Sequence, residues 1–238
     1  MPATDAAATM PSAQATTIAR AFLPPQRLGN RAAYYYVRSK LASDPLYGGI
    51  CATLRNSRAP LLDLGCGLGL LAHALRQAGL DLPYRGVDND ARKIALARTA
   101  AGRRQLGDVS FELLDLAAGV PAHQGNVALL DVLQFVSPQA QDQLLDAAIA
   151  MLTPGACLVL RTGLEDGSWR ARVTRSVDSF SRWTGWMNAG PRRYPDPDDL
   201  RARFAAAGLH SEFSPLFGRT PFNNWRIVAT KPEPTAAG

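Results

Sequence analysis

Beyond residue 60 the chain alternates short apolar runs with longer stretches of helical rhythm. Pro60-Leu61-Leu62-Asp63-Leu64 is an apolar run that ends in glycines, and after it Leu70, Leu71, Ala74 and Leu75 keep one helical face as far as Gly79. That is a strand, a tight turn and a helix over 70–78. The alternation repeats downstream, with strands expected at 84–87, 109–114, 127–133 and 156–161 and helices at 91–101, stopped by Gly102, and at 139–152, ended by Pro154-Gly155. Strands separated by such helices pair in parallel, because each helix carries the chain back across a sheet face. A helix at 197–207, closed by Gly208, and strands at 209–217 and 225–230 complete the pattern. Ahead of every strand, residues 20–54 mix aromatic, basic and apolar positions in a helical rhythm broken by Pro24-Pro25 and Asp44-Pro45. This reads as a helical lid.

Composition narrows the picture. A chain of 238 residues, 47% hydrophobic and 19% charged, builds one sizeable core and has no room for two full catalytic domains. Residues 1–17 are Ala, Thr and Pro with little else; they lack the basic start and apolar middle of a secretory signal and are too polar to span a membrane, so a disordered tail is expected. Cys51, Cys66 and Cys157 have neither an even count nor metal-ligand spacing, which argues for a reduced, cytoplasmic compartment and no metal site. The formal charge of +6 comes largely from arginines spread along the chain, with Lys40, Lys93 and Lys231 as the only lysines. The nearest approach to a basic cluster is a loose set that includes Arg170, Arg172, Arg175, Arg182, Arg192 and Arg193. A solvated rim explains that set better than a nucleic-acid groove does, while an anionic small acceptor, free or held on a carrier protein, stays compatible with it.

The candidate chemistry lies at the carboxyl ends of the strands. Asp63-Leu64-Gly65-Cys66-Gly67-Leu68-Gly69 sets three alternate glycines after the first strand, where a ligand can approach backbone without meeting a Cβ. Nineteen residues beyond Gly69 comes Asp88, followed by Asn89, where an acidic side chain can accept hydrogen bonds from both ribose hydroxyls. Asp115 and Leu116 close the third strand, a carboxylate suited to an adenine amino group and an apolar residue suited to the ring face. Asp131 ends the fourth. The nicotinamide cofactors are a rival, since Gly67, Gly69 and Ala72 satisfy the relaxed G-x-G-x-x-A spacing and Asp88 would serve their ribose as well.

The glycine run, with Asp88, Asp115 and Asp131 each closing a successive strand, resembles the class I methyltransferases that depend on S-adenosylmethionine. The resemblance covers residues 55–165 by motif and reaches 230 by topology. It implies a three-layer α/β/α sandwich with a mostly parallel seven-stranded sheet, an antiparallel last strand and an N-terminal helical lid. It also implies that Gly65, Cys66, Gly67 and Gly69 flank the methionine part, that Asp63 holds its amino group, that Asp88 and Asn89 take the ribose, and that Asp115 and Leu116 face adenine. Asp131 and Gln134 belong with that cofactor set, Gln134 looking into the active site. The expected organisation is a tail over 1–17, one methyltransferase domain over 18–232 and a tail over 233–238. Within the domain the lid takes 18–54, the cofactor core 55–165, an aromatic insertion 166–196, and a closing helix with two strands 197–232.

Acceptor type follows from two further segments. Asp131-Val132-Leu133-Gln134 lacks the Asn/Asp-Pro-Pro-aromatic tetrapeptide of many amino-group methyltransferases and resembles the form found in enzymes acting on small metabolites, quinones and lipids, which favours an oxygen or carbon acceptor. The pairing of Tyr35–Lys40 with Asp44-Pro45-Leu46-Tyr47, and the ending Thr220-Pro221-Phe222-Asn223-Asn224-Trp225, resemble bacterial enzymes of aryl-polyene or fatty-acyl pigment biosynthesis, which implies an aromatic or acyl acceptor. Tyr35 and Arg38 in the lid, and Phe180, Trp183 and Trp186 in the insertion, are the candidate acceptor contacts. None of His73, His123 and His210 stands where a base is expected, so no catalytic residue is assigned. A non-catalytic module that binds the donor, and an RNA methyltransferase with salt-sensitive RNA binding, are the other readings.

Overall fold

The computed structural model describes residues 9–26, 28–165, 194–216 and 223–234. Strands β1 (Leu61–Leu64), β2 (Tyr84–Asp88), β3 (Val109–Leu113), β4 (Asn126–Leu130), β5 (Cys157–Gly163), β6 (His210–Pro215) and β7 (Asn224–Thr230) form a seven-stranded sheet in the order β3-β2-β1-β4-β5-β7-β6. β2 pairs with β3, and β4 with β1 and β5, all in parallel, while β7 runs antiparallel to both β5 and β6. Among the described residues the α-helices are α1 (Ser12–Ala19), α2 (Ala32–Ser43), α3 (Leu46–Thr53), α4 (Leu70–Gln77), α5 (Ala91–Arg103), α6 (Pro138–Ala150) and α7 (Pro197–Ala206). The mostly parallel sheet with its reversed last strand is the expected fold class.

Contacts divide the chain into two compact units, one of residues 1–58 and 66–115, the other of 59–65 and 116–238. In the first, the stripe Leu70, Leu71, Ala74 and Leu75 of α4 is buried, as are Ile94 and Ala97 of α5, Tyr84 of β2 and Phe111 of β3. In the second, β1, β4 and β5 read as near-continuous apolar runs because parallel strands covered on both faces have no wet side. Phe204 of α7 is fully buried there.

Several expectations are corrected. Residues 12–17, expected in the disordered tail, belong to α1, whose Ala15, Ile18 and Ala19 are fully buried and which packs along α2. Alanine-rich composition suited a tail, but it also suits a helix that packs closely. By contacts, the segment 59–65 groups with residues beyond 115 and parts from its chain neighbours. β4 stops at Leu130 and does not reach 133, because Asp131 turns left-handed at φ +60° and residues Leu133–Phe135 form a 3-10 turn. Helix α5 runs through Gly102 to Arg103; the stop is made by Gln105 at φ +51°, with Leu106 N–H donating to Ala101 O at 3.0 Å. The insertion residues Phe180, Trp183 and Trp186, and residues 217–222, lie outside the described residues.

Candidate active site

The turn after β1 takes three left-handed glycines, Gly65 at φ +81°, Gly67 at +55° and Gly69 at +69°. Each is a glycine for its own reason. A Cβ on Gly65 would run into the Val132 side chain, and one on Gly69 into the Phe111 ring, so both positions are closed by packing as well as by conformation. A Cβ on Gly67 would meet nothing within 4 Å. Gly67 therefore presents bare backbone to open space, a cradle that a side chain would fill.

In the first unit this turn is tied to the end of β2. Cys66 N–H donates to Val87 O at 2.9 Å. Gly67 N–H donates to Asp88 Oδ2 at 2.8 Å, and Asp88 Oδ1 accepts from Asp90 N–H at 2.9 Å. The buried carboxylate of Asp88 is thus clamped at both oxygens, and each oxygen keeps a lone pair for a further donor such as a hydroxyl. Its neighbour Asn89 is exposed, and Asp90 caps α5 by accepting from Arg92 N–H at 2.9 Å and Lys93 N–H at 3.3 Å. Leu114 N–H donates to Asp88 O at 3.0 Å, carrying the β2–β3 pairing one step further and delivering Asp115, exposed, just past β3.

In the second unit, Asp63 is buried within β1, opposite Ala128 of β4. Asp131 follows β4 in its left-handed conformation, donates its N–H to Arg161 O at 2.9 Å and pairs its carboxylate with Arg161 Nε at 3.2 Å. Left-handed backbone at a non-glycine residue costs energy, and here it turns the carboxylate off the strand direction and onto a buried guanidinium. Gln134 is buried on the 3-10 turn, with its Oε1 3.4 Å from the Thr162 hydroxyl of β5. Gln141 of α6 holds that turn by donating Nε2–H to Leu133 O at 2.8 Å. Leu116, the remaining residue of the expected cofactor set, is half-buried.

A family model for a methyltransferase domain matches residues 35–211, well over half of the chain. The chain belongs to the methyltransferase domain family. Its Rossmann-like class draws the methyl group from S-adenosylmethionine, which decides between the two nucleotide readings that the glycine spacing had left open. Among relatives of this methyltransferase-family chain, a ubiquinone biosynthesis O-methyltransferase from Xylella fastidiosa is 28% identical over 66% of the chain and 63% of its own length. A carboxy-S-adenosyl-L-methionine synthase from Campylobacter curvus is 27% identical over 67% and 66%. The chain therefore spans just under two thirds of the length of these relatives. In fold it is similar to the magnesium protoporphyrin IX methyltransferase of Synechocystis PCC 6803, solved with bound SAH, at a TM-score of 0.60 and 19% identity over 89% of this chain and 91% of that one.

Other residues of the family member behave differently from the glycine turn. Tyr35 is 56% exposed on α2, edge-on to Tyr34 with ring centroids 5.1 Å apart, and Arg38 is exposed on the same helix. His73 of α4 is buried against the Phe22 ring, centroids 5.4 Å apart, and burial with the nearby Arg104 charge pushes it down to about 4. That keeps it neutral and a poor base near pH 7. His123 meets Asn126 O at 2.9 Å through Nε2, and His210 is exposed on β6. Among the described residues no cluster of His, Cys, Asp or Glu could hold a metal, and no helix is long and apolar enough to cross a membrane. Arg161, Thr162 and Gln141 were missed by sequence reasoning. A lone arginine, threonine or glutamine carries no spacing signal, and only the pairing of β4 with β5 brings Arg161 to Asp131.

Proposed function

We propose that this protein transfers the methyl group of S-adenosylmethionine to an oxygen, or failing that a carbon, of a small aromatic or acyl metabolite in the cytoplasm. The observation that carries the reading is Gly67: left-handed, bare toward open space, and held by the Asp88 carboxylate. That arrangement fits a ligand bringing a ribose and a compact charged chain to exposed backbone. When bound, S-adenosylmethionine supplies an electrophilic methyl on a sulfonium centre. Gly67 and Asp88 bind and orient; the parts expected of Asp63, Asp131 and Gln134 rest on the sequence resemblance. Alignment of the reacting atoms and exclusion of water then supply most of the rate.

An oxygen acceptor is supported by the Asp131-Val132-Leu133-Gln134 segment and by the O-methyltransferase named among the relatives. The chain has three histidines, and those at 73 and 123 are tied up in packing or a backbone contact. A phenol suits such a site better than an alcohol, because its hydroxyl, with a pKa of about 10, gives up its proton far more readily and asks less of a base. The test is calorimetry with S-adenosylhomocysteine followed by a labelled-methyl assay over phenols, hydroxylated quinones and acyl substrates. Binding of S-adenosylhomocysteine, weakened by about 1–3 kcal/mol in Asp88→Ala, and methyl transfer to a phenol are the expected results. Absence of binding would overturn the reading, and transfer confined to RNA or to a free amine would replace the acceptor class.

A further inference from the structure

The amino-terminal part of the first unit has a charge and surface pattern that goes beyond the acceptor contacts expected of Tyr35 and Arg38. Of the 20 acidic residues in the chain only Asp5 precedes Asp44, whereas Arg20, Arg27, Arg31, Arg38 and Lys40 all fall in that stretch. Residues 6–43 therefore carry cations and no carboxylate. Lys40 is neutralised by Asp44 at 2.9 Å, but Arg20 and Arg38 are exposed. Among the described residues five large apolar side chains are exposed, and three of them, Leu28, Tyr35 and Tyr36, lie within this same stretch. Leu28 is 99% exposed at the turn before α2.

Helical spacing orders the rest. Arg31, Tyr35 and Arg38, at i, i+4 and i+7, share one face of α2, while Val37 and Leu41 of another face are fully buried. Tyr34 packs edge-on to Tyr35, and the Tyr35 side chain is more than half exposed. A fully exposed aliphatic tip and a tyrosine standing between arginines, in a stretch of sequence without carboxylates, make a particular combination. Phosphates would be drawn to the arginine charges, and a nucleic acid could stack on the tyrosines, but neither uses an exposed leucine. The headgroup layer of a bilayer uses all three: anionic headgroups for the cations, the interface for the tyrosine and the first acyl carbons for the leucine.

We infer that Leu28 and the Arg31-Tyr35-Arg38 face of α2 form a peripheral docking surface for an anionic lipid bilayer. The inference rests on the surface alone and stands or falls apart from the choice of acceptor. The experiment is co-sedimentation of the full chain with vesicles of phosphatidylcholine alone and of an equimolar mixture with phosphatidylglycerol. Binding to the mixed vesicles only, reduced severalfold by about 0.5 M salt and severalfold by either Leu28→Ser or Arg38→Glu, is expected. Both side chains are exposed, so the variants should keep the thermal transition of the parent protein, which is the check that a loss is local. Failure to bind the mixed vesicles, or binding that Leu28→Ser leaves unchanged, overturns the inference. If an RNA or an acidic polypeptide competes the protein off with equal effect on the parent and on Leu28→Ser, the face is a general anion surface and the bilayer assignment is wrong.

Discussion

At the scale of single residues, the glycine turn divides its work. Gly67→Val should abolish binding of S-adenosylhomocysteine in calorimetry and cost only the strain of its left-handed backbone, about 1–2 kcal/mol, because the new side chain enters open space. Gly69→Val should chiefly destabilise the fold, by more than about 2 kcal/mol in denaturant unfolding, because it drives into Phe111. Equal losses of stability in the two variants would refute the division. His73 gives a second prediction. Its folded value of about 4 lies below the ordinary 6.5, so between those two pH values the unfolded chain takes up a proton that the folded one refuses. Stability is then intact above pH 6.5 and falls as pH drops toward 4, by on the order of 3 kcal/mol in the limit. His73→Leu should flatten that part of the pH–stability curve. Neither ring nitrogen meets a protein hydrogen-bond partner, so the variant should be no less stable than the parent at pH 7.

At the scale of elements, what could be read in advance was whatever a periodic pattern or a turn residue writes locally. The strand after Pro60, the glycine turn, α4 with its stripe and the acidic strand ends were all legible, since each depends on neighbours in sequence. The end of β4 was not, because apolar Val132 and Leu133 continue the pattern of a strand that the backbone of Asp131 has already left. Nor was α1, whose burial depends on α2 and not on any sequence signal of its own. The Asp131–Arg161 pair joins residues brought into register by β4 and β5, and no local rule reaches that far. Gly102 misled in the opposite direction: a glycine that looked like a helix stop sits inside α5, where an added Cβ would meet nothing. Gly102→Ala should therefore stabilise the protein by about 0.5–1 kcal/mol in denaturant titration. A destabilisation would mean that the helix does not pass through this residue.

At the scale of the whole molecule, the three cysteines are unequal. Cys51 and Cys157 are buried free thiols, and desolvation pushes each up to about 11, which leaves almost no thiolate at neutral pH. Cys66 is only partly covered and stands inside the glycine turn, with its sulfur filling the space beside Gly86. Of the three thiols, then, only that of Cys66 belongs to a partly exposed residue, and it stands where the donor is proposed to dock. A maleimide should label the native protein once, at Cys66, and S-adenosylhomocysteine should slow that labelling. Labelling of Cys51 or Cys157 at a comparable rate would contradict their burial. A fluorophore attached through the same sulfur would turn the turn itself into an optical gauge of occupancy, needing no knowledge of what is methylated.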